Sequence, residues 1–185
     1  AAESLGRIGN RQALQALLTL YDDDSEMVRR IAVFGFGKFD TDRPVDPLVE
    51  ALGDDSPAVR RTAVYSLIEL LANVPTEQSH EIRETVVERL AAGDGTVVEP
   101  LAELLAESTQ VAQRRNAAWL LGRVSDDTGD RAVVDALVDA LADDDQMVSQ
   151  FAATSLAALG GDYIERQLLG LAEDEDAEVG VRSQA

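Results

Sequence analysis

Apolar residues follow helical spacing in segments that recur along the chain with a period of 31 residues. The segment DDSEMVRRIA at residues 23–32 matches DDSPAVRRTA at residues 54–63 position by position, and related segments follow at residues 113–117 and 143–152. The longer segments open with Asp and Ser or with a run of Asp, residues that cap helix N-termini, and continue with apolar residues on one helical face. Each segment is therefore predicted to be a helix that buries one face.

A second series of leucines lies between these segments and predicts a second set of helices. Its members are 31, 53, 36 and 31 residues apart: Leu17, Leu48, Leu101, Leu137 and Leu168. The repeating unit is then a helical hairpin in which neither helix can bury its apolar face alone, whereas stacked hairpins bury a continuous core. We predict an all-α fold, a right-handed superhelix (solenoid) of about four to five helical hairpins.

The 53-residue step exceeds the period by 22 residues, and the excess lies around residues 75–95. Pro75 interrupts the pattern, an apolar stripe from Ile82 to Leu90 follows, and glycines at 93 and 95 end it. This predicts one inserted helix at about residues 77–92. We expect a single repeat domain over residues 1–185 and, because the chain starts without Met inside the pattern, a fragment of a longer array.

The pattern Asp-x-x-x-x-Val-Arg-x-x-Ala at residues 54–63, with Leu-Gly-Arg-Ile-Gly at residues 5–9, resembles the HEAT repeats. It is most similar to the short HEAT-like repeats named after phycobilisome lyases. The resemblance implies that the Val-Arg helices are inner helices lining a concave surface and that the leucine helices are outer. It also implies a structural Asp–Arg ladder between repeats, here Asp23 with Arg29 and Asp54 with Arg60. Such repeats serve many unrelated proteins, so the resemblance is specific for fold and not for function.

The composition is strongly acidic, with a formal net charge of −19 from 35 Asp+Glu against 16 Lys+Arg, and a pI near 4.2. Lys38 is the one lysine, His80 the one histidine, and there is no cysteine. Disulfides, thiolate sites and His–His metal sites within the chain are therefore excluded, and we predict no cofactor and no metal.

Such acidity with almost no lysine is typical of cytosolic proteins of salt-loving archaea, which predicts a halophilic, cytoplasmic protein. An acidic protein of a mesophile is the alternative. The charge opposes binding to nucleic-acid phosphates, and no apolar stretch approaches the ~20 residues of a membrane helix.

One repeat position carries candidate binding residues. The aligned segments share an alanine, at positions 32, 63 and 117. The residues two positions before it are Arg30, Arg61 and Arg115, and the residues two positions after it are Phe34, Tyr65 and Trp119. Arg and aromatic are four residues apart on one helix and are therefore neighbours on its surface. The column is either a partner-binding stripe or packing between inner helices, with the inserted helix docked on it.

Catalytic constellations are not visible in the sequence. The resemblance to deoxyhypusine hydroxylases would require several His-Glu pairs to hold iron, whereas this chain has only His80-Glu81. We therefore predict a non-catalytic protein–protein interaction scaffold that binds a protein or peptide partner on the concave inner-helix surface, with no catalytic residues. The alternative is a bilin-lyase-like enzyme or enzyme subunit.

Overall fold

A computed structural model describes residues 11–74, 76–91, 97–124 and 131–173, and these residues are almost entirely helical. No strand occurs within these ranges, so the predicted all-α class is confirmed. The α-helices described are α1 (Arg11–Tyr21), α2 (Glu26–Phe36), α3 (Val45–Glu50), α4 (Pro57–Asn73), α5 (Thr76–Ala91), α6 (Val98–Glu107), α7 (Val111–Val124), α8 (Arg131–Asp139), α9 (Gln146–Leu159) and α10 (Asp162–Glu173). Short 3₁₀ turns, Ala51–Gly53 and Ala140–Ala142, extend α3 and α8.

The helix boundaries follow local capping chemistry. At the start of α4 the Ser56 hydroxyl accepts a hydrogen bond from the backbone N–H of Val59, and Pro57 occupies the first turn, where no N–H partner is needed. At the start of α9 the Asp145 carboxylate accepts from two backbone N–H groups. Gly160 ends α9 with φ 64°, a left-handed conformation that favours glycine. The predicted Asp and Ser caps thus set these two helix starts.

The chain divides into two compact units, residues 1–97 and 98–185. In the first unit α1 packs on α2, α2 packs on α4, and α3 packs on α4. Fully buried side chains fill the space between these helices, and the largest of them are Leu17, Phe36, Phe39, Leu48, Leu67, Ile68 and Leu70. The Val-Arg helices α2 and α4, which we call the inner helices of this unit, are therefore direct neighbours.

The inserted segment forms α5, whose bounds lie within one residue of the predicted 77–92. This helix packs against α3 and α4, and Arg89 binds Asp46 of α3 at 2.9 Å. Helix α5 thus lies beside the leucine helix α3. It does not cover Phe34 and Tyr65 of the aromatic column, which stay exposed, so the alternative in which the inserted helix docks on these rings is not observed.

In the second unit α6 packs on α7, α7 on α9, α6 on α8, and α8 on both α9 and α10. Its inner helices are α7 and α9, and its core includes Leu101, Leu104, Leu120, Leu121 and Leu137. The continuity of one solenoid over residues 1–185 stays a prediction. The Leu-Gly-Arg-Ile-Gly motif at 5–9, the glycines at 93 and 95 and the chain after 173 lie outside the described residues.

Candidate functional site

The Asp–Arg ladder links neighbouring hairpins within each unit. Arg29 of α2 makes two parallel bonds to the Asp54 carboxylate, at 2.8 and 2.9 Å, and also donates to the backbone carbonyl of Asp23 at 3.2 Å. Arg60 likewise donates to the backbone carbonyl of Asp54 at 2.8 Å. Each Arg therefore binds the carbonyls of its own turn, and Arg29 takes its carboxylate partner from the next repeat. This corrects both expected pairs. The Asp54 carboxylate binds Arg29 and not Arg60, and Asp23 gives Arg29 its backbone carbonyl.

The second unit repeats this geometry. Arg114 binds the Asp143 carboxylate through two bonds, at 2.6 and 3.0 Å, and both side chains are largely buried. The hydrogen bonds from Arg114 and Arg29 hold the pKa values of Asp143 and Asp54 below their ordinary value. Both carboxylates also accept a backbone N–H in the turn, so the ladder ties a turn to an inner helix, which is a structural role.

In the first unit, an open depression beside the Arg29–Asp54 pair is lined by carboxylates. Tyr21, Arg29, Gly53 and the acidic residues at 22–24 and 54–55 surround it. Burial and the nearby Asp54 carboxylate raise the pKa of Tyr21 to about 12. Within the described ranges, no group of three or more His, Asp or Glu side chains is placed to hold a metal ion.

His80, the other candidate for chemistry, lies exposed on α5. Its ring is 3.3 Å from Glu84, one helical turn further on, and both side chains face solvent.

The predicted aromatic column is solvent-accessible in the first unit. Phe34 of α2 is 47% exposed and Tyr65 of α4 is 42% exposed, at equivalent repeat positions on adjacent helices. Arg30 is half-buried and Arg61 is exposed, and neither guanidinium group makes a hydrogen bond or ion pair to a described residue. These four residues therefore present two large apolar rings and two unpaired guanidinium groups.

Sequence reasoning missed two further members of this surface. Met27 is 58% exposed and Ile31 is 46% exposed, and together with Phe34 they form an i, i+4, i+7 series on one face of α2. The spacing was available in the sequence, but an apolar series at helical spacing is ordinarily a buried face. Only the packing of α2 shows that a second apolar face stays uncovered.

A cation does lie over the Phe34 ring, but it comes from the following turn. The Lys38 ammonium is 4.6 Å from the ring centroid and 3.1 Å from the Glu69 carboxylate of α4. Helical side chains lean toward the N-terminus, so a long side chain covers the residue four positions before it and not the one four positions after it. Lys38 thereby ties the turn after α2 to α4, on the face that carries Phe34 and Tyr65.

The equivalent residues of the second unit are arranged differently. The Arg115 guanidinium binds the Asp145 carboxylate through two bonds, one of 2.7 Å. Trp119 is half-buried, and the Arg123 guanidinium lies 4.3 Å from its ring centroid. Arg115 and Trp119 thus have partners inside their own unit.

One residue difference explains why Arg115 is paired and Arg30 is not. Asp145 is the N-cap of α9, the inner helix that follows α7. The N-cap at the same place after α2 is Ser56 of α4, which is neutral. Arg30 therefore has no carboxylate at the position where Arg115 finds one, and the structure is needed to show that the N-cap of the next inner helix contacts this Arg position.

The HEAT repeat family profile matches residues 20–79 and 98–185, and the PBS lyase HEAT-like repeat profile matches residues 1–23. A HEAT repeat-containing taxis protein of Halobacterium salinarum is 51% identical over 111 residues, which cover 59% of this chain. The aligned segment spans 27% of that relative, and the match supports the haloarchaeal interpretation of the composition.

Solved structures in which the backbone follows a similar path include two repeat proteins. A computationally designed armadillo repeat protein for modular peptide recognition has a TM-score of 0.46 at 19% identity, with 99% of this chain and 87% of that chain covered. An archaeal HEAT-like repeats protein from Thermococcus onnurineus has a TM-score of 0.41 at 18% identity, with coverage of 99% and 90%. None of the described helices is long and apolar enough to cross a membrane. With its family profile matched over most of its length, the chain belongs to the HEAT-repeat family.

Proposed function

We propose that this chain is a non-catalytic interaction scaffold whose first unit binds a protein partner on its inner helices. The observation that carries the proposal is the pair of exposed rings, Phe34 and Tyr65, beside the unpaired cations Arg30 and Arg61. Aromatic residues and Arg dominate the binding energy of protein interfaces. The Halobacterium relative is named as a taxis protein, and we propose a cytoplasmic partner in the same process.

The chemistry of this surface suits binding in concentrated salt. With a net charge of −19 the chain repels anionic partners at long range, but at molar salt the Debye length is about 3 Å and only direct contacts remain. Burying rings and forming bidentate Arg contacts are both short-range interactions. Binding on this face should therefore tolerate high salt.

The test is capture of partner proteins from a Halobacterium salinarum lysate in molar KCl, with wild type and variants immobilised in parallel. The double variant Phe34→Ala/Tyr65→Ala removes the rings at exposed positions and should lose the captured proteins. Leu169→Ala is the matched control, because Leu169 is an exposed apolar residue, 62% accessible, on α10 in the other unit. Capture unchanged by the double variant, or lost equally with Leu169→Ala, would refute the proposed site.

A further inference from the structure

We infer that the partner segment is an amphipathic helix with acidic residues beside its apolar side, and that it docks on the first unit alone. The inference rests on the proposed function and names the partner's chemistry. The docking surface, which we call the α2–α4 face, consists of Met27, Arg30, Ile31, Phe34, Arg61 and Tyr65.

The apolar part of the α2–α4 face has the dimensions of a helix contact. Met27 and Phe34 are seven positions apart on α2 with Ile31 between them, which at 1.5 Å per residue is about 10 Å, or two helical turns. Tyr65 extends the apolar surface onto α4, which packs directly against α2. A partner helix could therefore place side chains from two successive turns against this ridge.

The charged part of the α2–α4 face selects acidic partners. The chain holds 35 carboxylates against 16 Lys and Arg, so a cation readily finds an internal partner, as Arg29, Lys38 and Arg89 do in this unit. Arg30 and Arg61 occupy the same repeat position on adjacent helices and have no such partner among the described residues. Two like charges beside an apolar ridge are complementary to carboxylates on the flank of an incoming apolar helix.

The surroundings of the face favour a helix over an extended peptide. An extended peptide brings unpaired backbone N–H and C=O groups that need hydrogen-bonding partners once they are buried, and its N–H groups need acceptors, which Arg30 and Arg61 cannot provide. Helix α2 has no Asn or Gln, and Asn73 at the end of α4 donates to the Gly37 carbonyl. The Thr62 hydroxyl is bonded to the Ala58 carbonyl. A helical partner satisfies its own backbone and needs none of these groups.

The second unit lacks both features at the equivalent positions. Asp145 already neutralises Arg115, and Trp119 is half-buried, whereas Phe34 stays 47% exposed although Lys38 lies over its ring. The α7 surface is therefore the internal control for the α2–α4 face, since it has the same Arg and aromatic positions with their contacts already made.

An array of synthetic 14-residue peptides tests the inference, probed with the labelled full chain in molar KCl. The peptides share an amphipathic helical pattern with leucines on one side. They carry Glu, Gln or Lys on both flanks of that side, and each has a partner peptide in which two prolines break the helix. We expect the Glu peptides to bind about tenfold or more tightly than the Gln peptides, and the Lys and Pro peptides to bind most weakly.

Variants separate the charge from the apolar surface. Arg30→Gln/Arg61→Gln should remove the preference for Glu over Gln flanks, whereas Phe34→Ala should weaken both peptides about tenfold or more. Arg115→Gln is the control in the second unit and should leave both affinities unchanged. Far-ultraviolet circular dichroism checks that each variant is folded. Phe34 and Arg61 are exposed and Arg30 is half-buried, so none of these substitutions removes a fully buried side chain.

Equal binding of Glu, Gln and Lys peptides, preferential binding of Pro peptides, or no binding of any peptide would overturn the inference. Lysate capture that still depends on Phe34 and Tyr65 would then leave the proposed function standing with another partner chemistry. Capture that does not depend on these two rings would refute both.

Discussion

Gly122 of α7 lies directly against Ser155 of α9, and its replacement by Ala tests how closely the two inner helices approach there. A Cβ atom added at Gly122 would lie 2.7 Å from the Cα atom of Ser155, inside the 3.0 Å limit that real Cβ atoms respect. Because Cα belongs to the backbone, it cannot rotate away as a side chain could. Gly37, the residue directly after α2, meets Ser66 of α4 in the same way, at 2.8 Å, so both units place a glycine against a serine of the next inner helix.

The expected cost follows from two opposing effects. Forcing a methyl group into a packed contact costs about 1–3 kcal/mol, whereas Gly→Ala inside a helix contributes about 1 kcal/mol of favourable propensity. Gly170 lies inside α10 of the same unit, and an added Cβ there meets nothing within 4 Å. Gly170→Ala should therefore stabilise the protein. The difference in unfolding free energy between the two variants isolates the contact, at about 1–3 kcal/mol.

Urea unfolding at fixed salt, followed by tryptophan fluorescence, is the assay. Trp119 is the single tryptophan and lies three residues before Gly122, so the signal reports the unit that contains both substitutions. Comparable m-values in the two variants would show that the difference lies in the folded state. If Gly122→Ala is as stable as Gly170→Ala, α7 and α9 do not approach at this point and the reasoning is refuted.

Four other measurements check the remaining reasoning. Because the chain carries a net charge of −19, its melting temperature should rise from dilute buffer to molar KCl, and a flat or falling melting temperature would contradict the halophilic interpretation. The Arg115 guanidinium and backbone N–H groups lower the pKa of Asp145 from 3.8 to about 2. Its folded pKa is depressed, so its stabilising effect is present above about pH 4 and is lost as pH falls toward 2; the stability difference between wild type and Asp145→Asn should shrink across that range. Arg114→Gln leaves the largely buried Asp143 without its bidentate partner and should cost about 1–3 kcal/mol by urea titration, with Asp143→Asn in the same background recovering part of the loss. Trp119→Ala should cost less than the ~3–5 kcal/mol of a fully buried aromatic, since Trp119 is half-buried, and a loss as large as that would mean that Trp119 belongs to the core.

The repeat pattern by itself determined the helices of this protein. The 31-residue period places the caps at Ser56 and Asp145 and the inner helices that follow them. The 22-residue excess over that period places the inserted helix, expected at about 77–92 and found at Thr76–Ala91. These features depend on local chemistry: which residues share a helical face and which can accept the first backbone N–H groups. The repeat pattern also identified the Asp and Arg residues of the ladder. It paired them wrongly, however, because the carboxylate partner of Arg29 is Asp54 of the next turn.

Only the tertiary structure decided which of the equivalent residues are available to a partner. Arg30 and Arg115 occupy the same repeat position, yet one is unpaired and the other binds Asp145. Met27 and Ile31 follow the spacing of a buried stripe but lie in solvent. Helical periodicity specifies where a side chain points relative to its own helix. Whether that side chain is covered, paired or open depends on the neighbouring helix and on the charges that it brings.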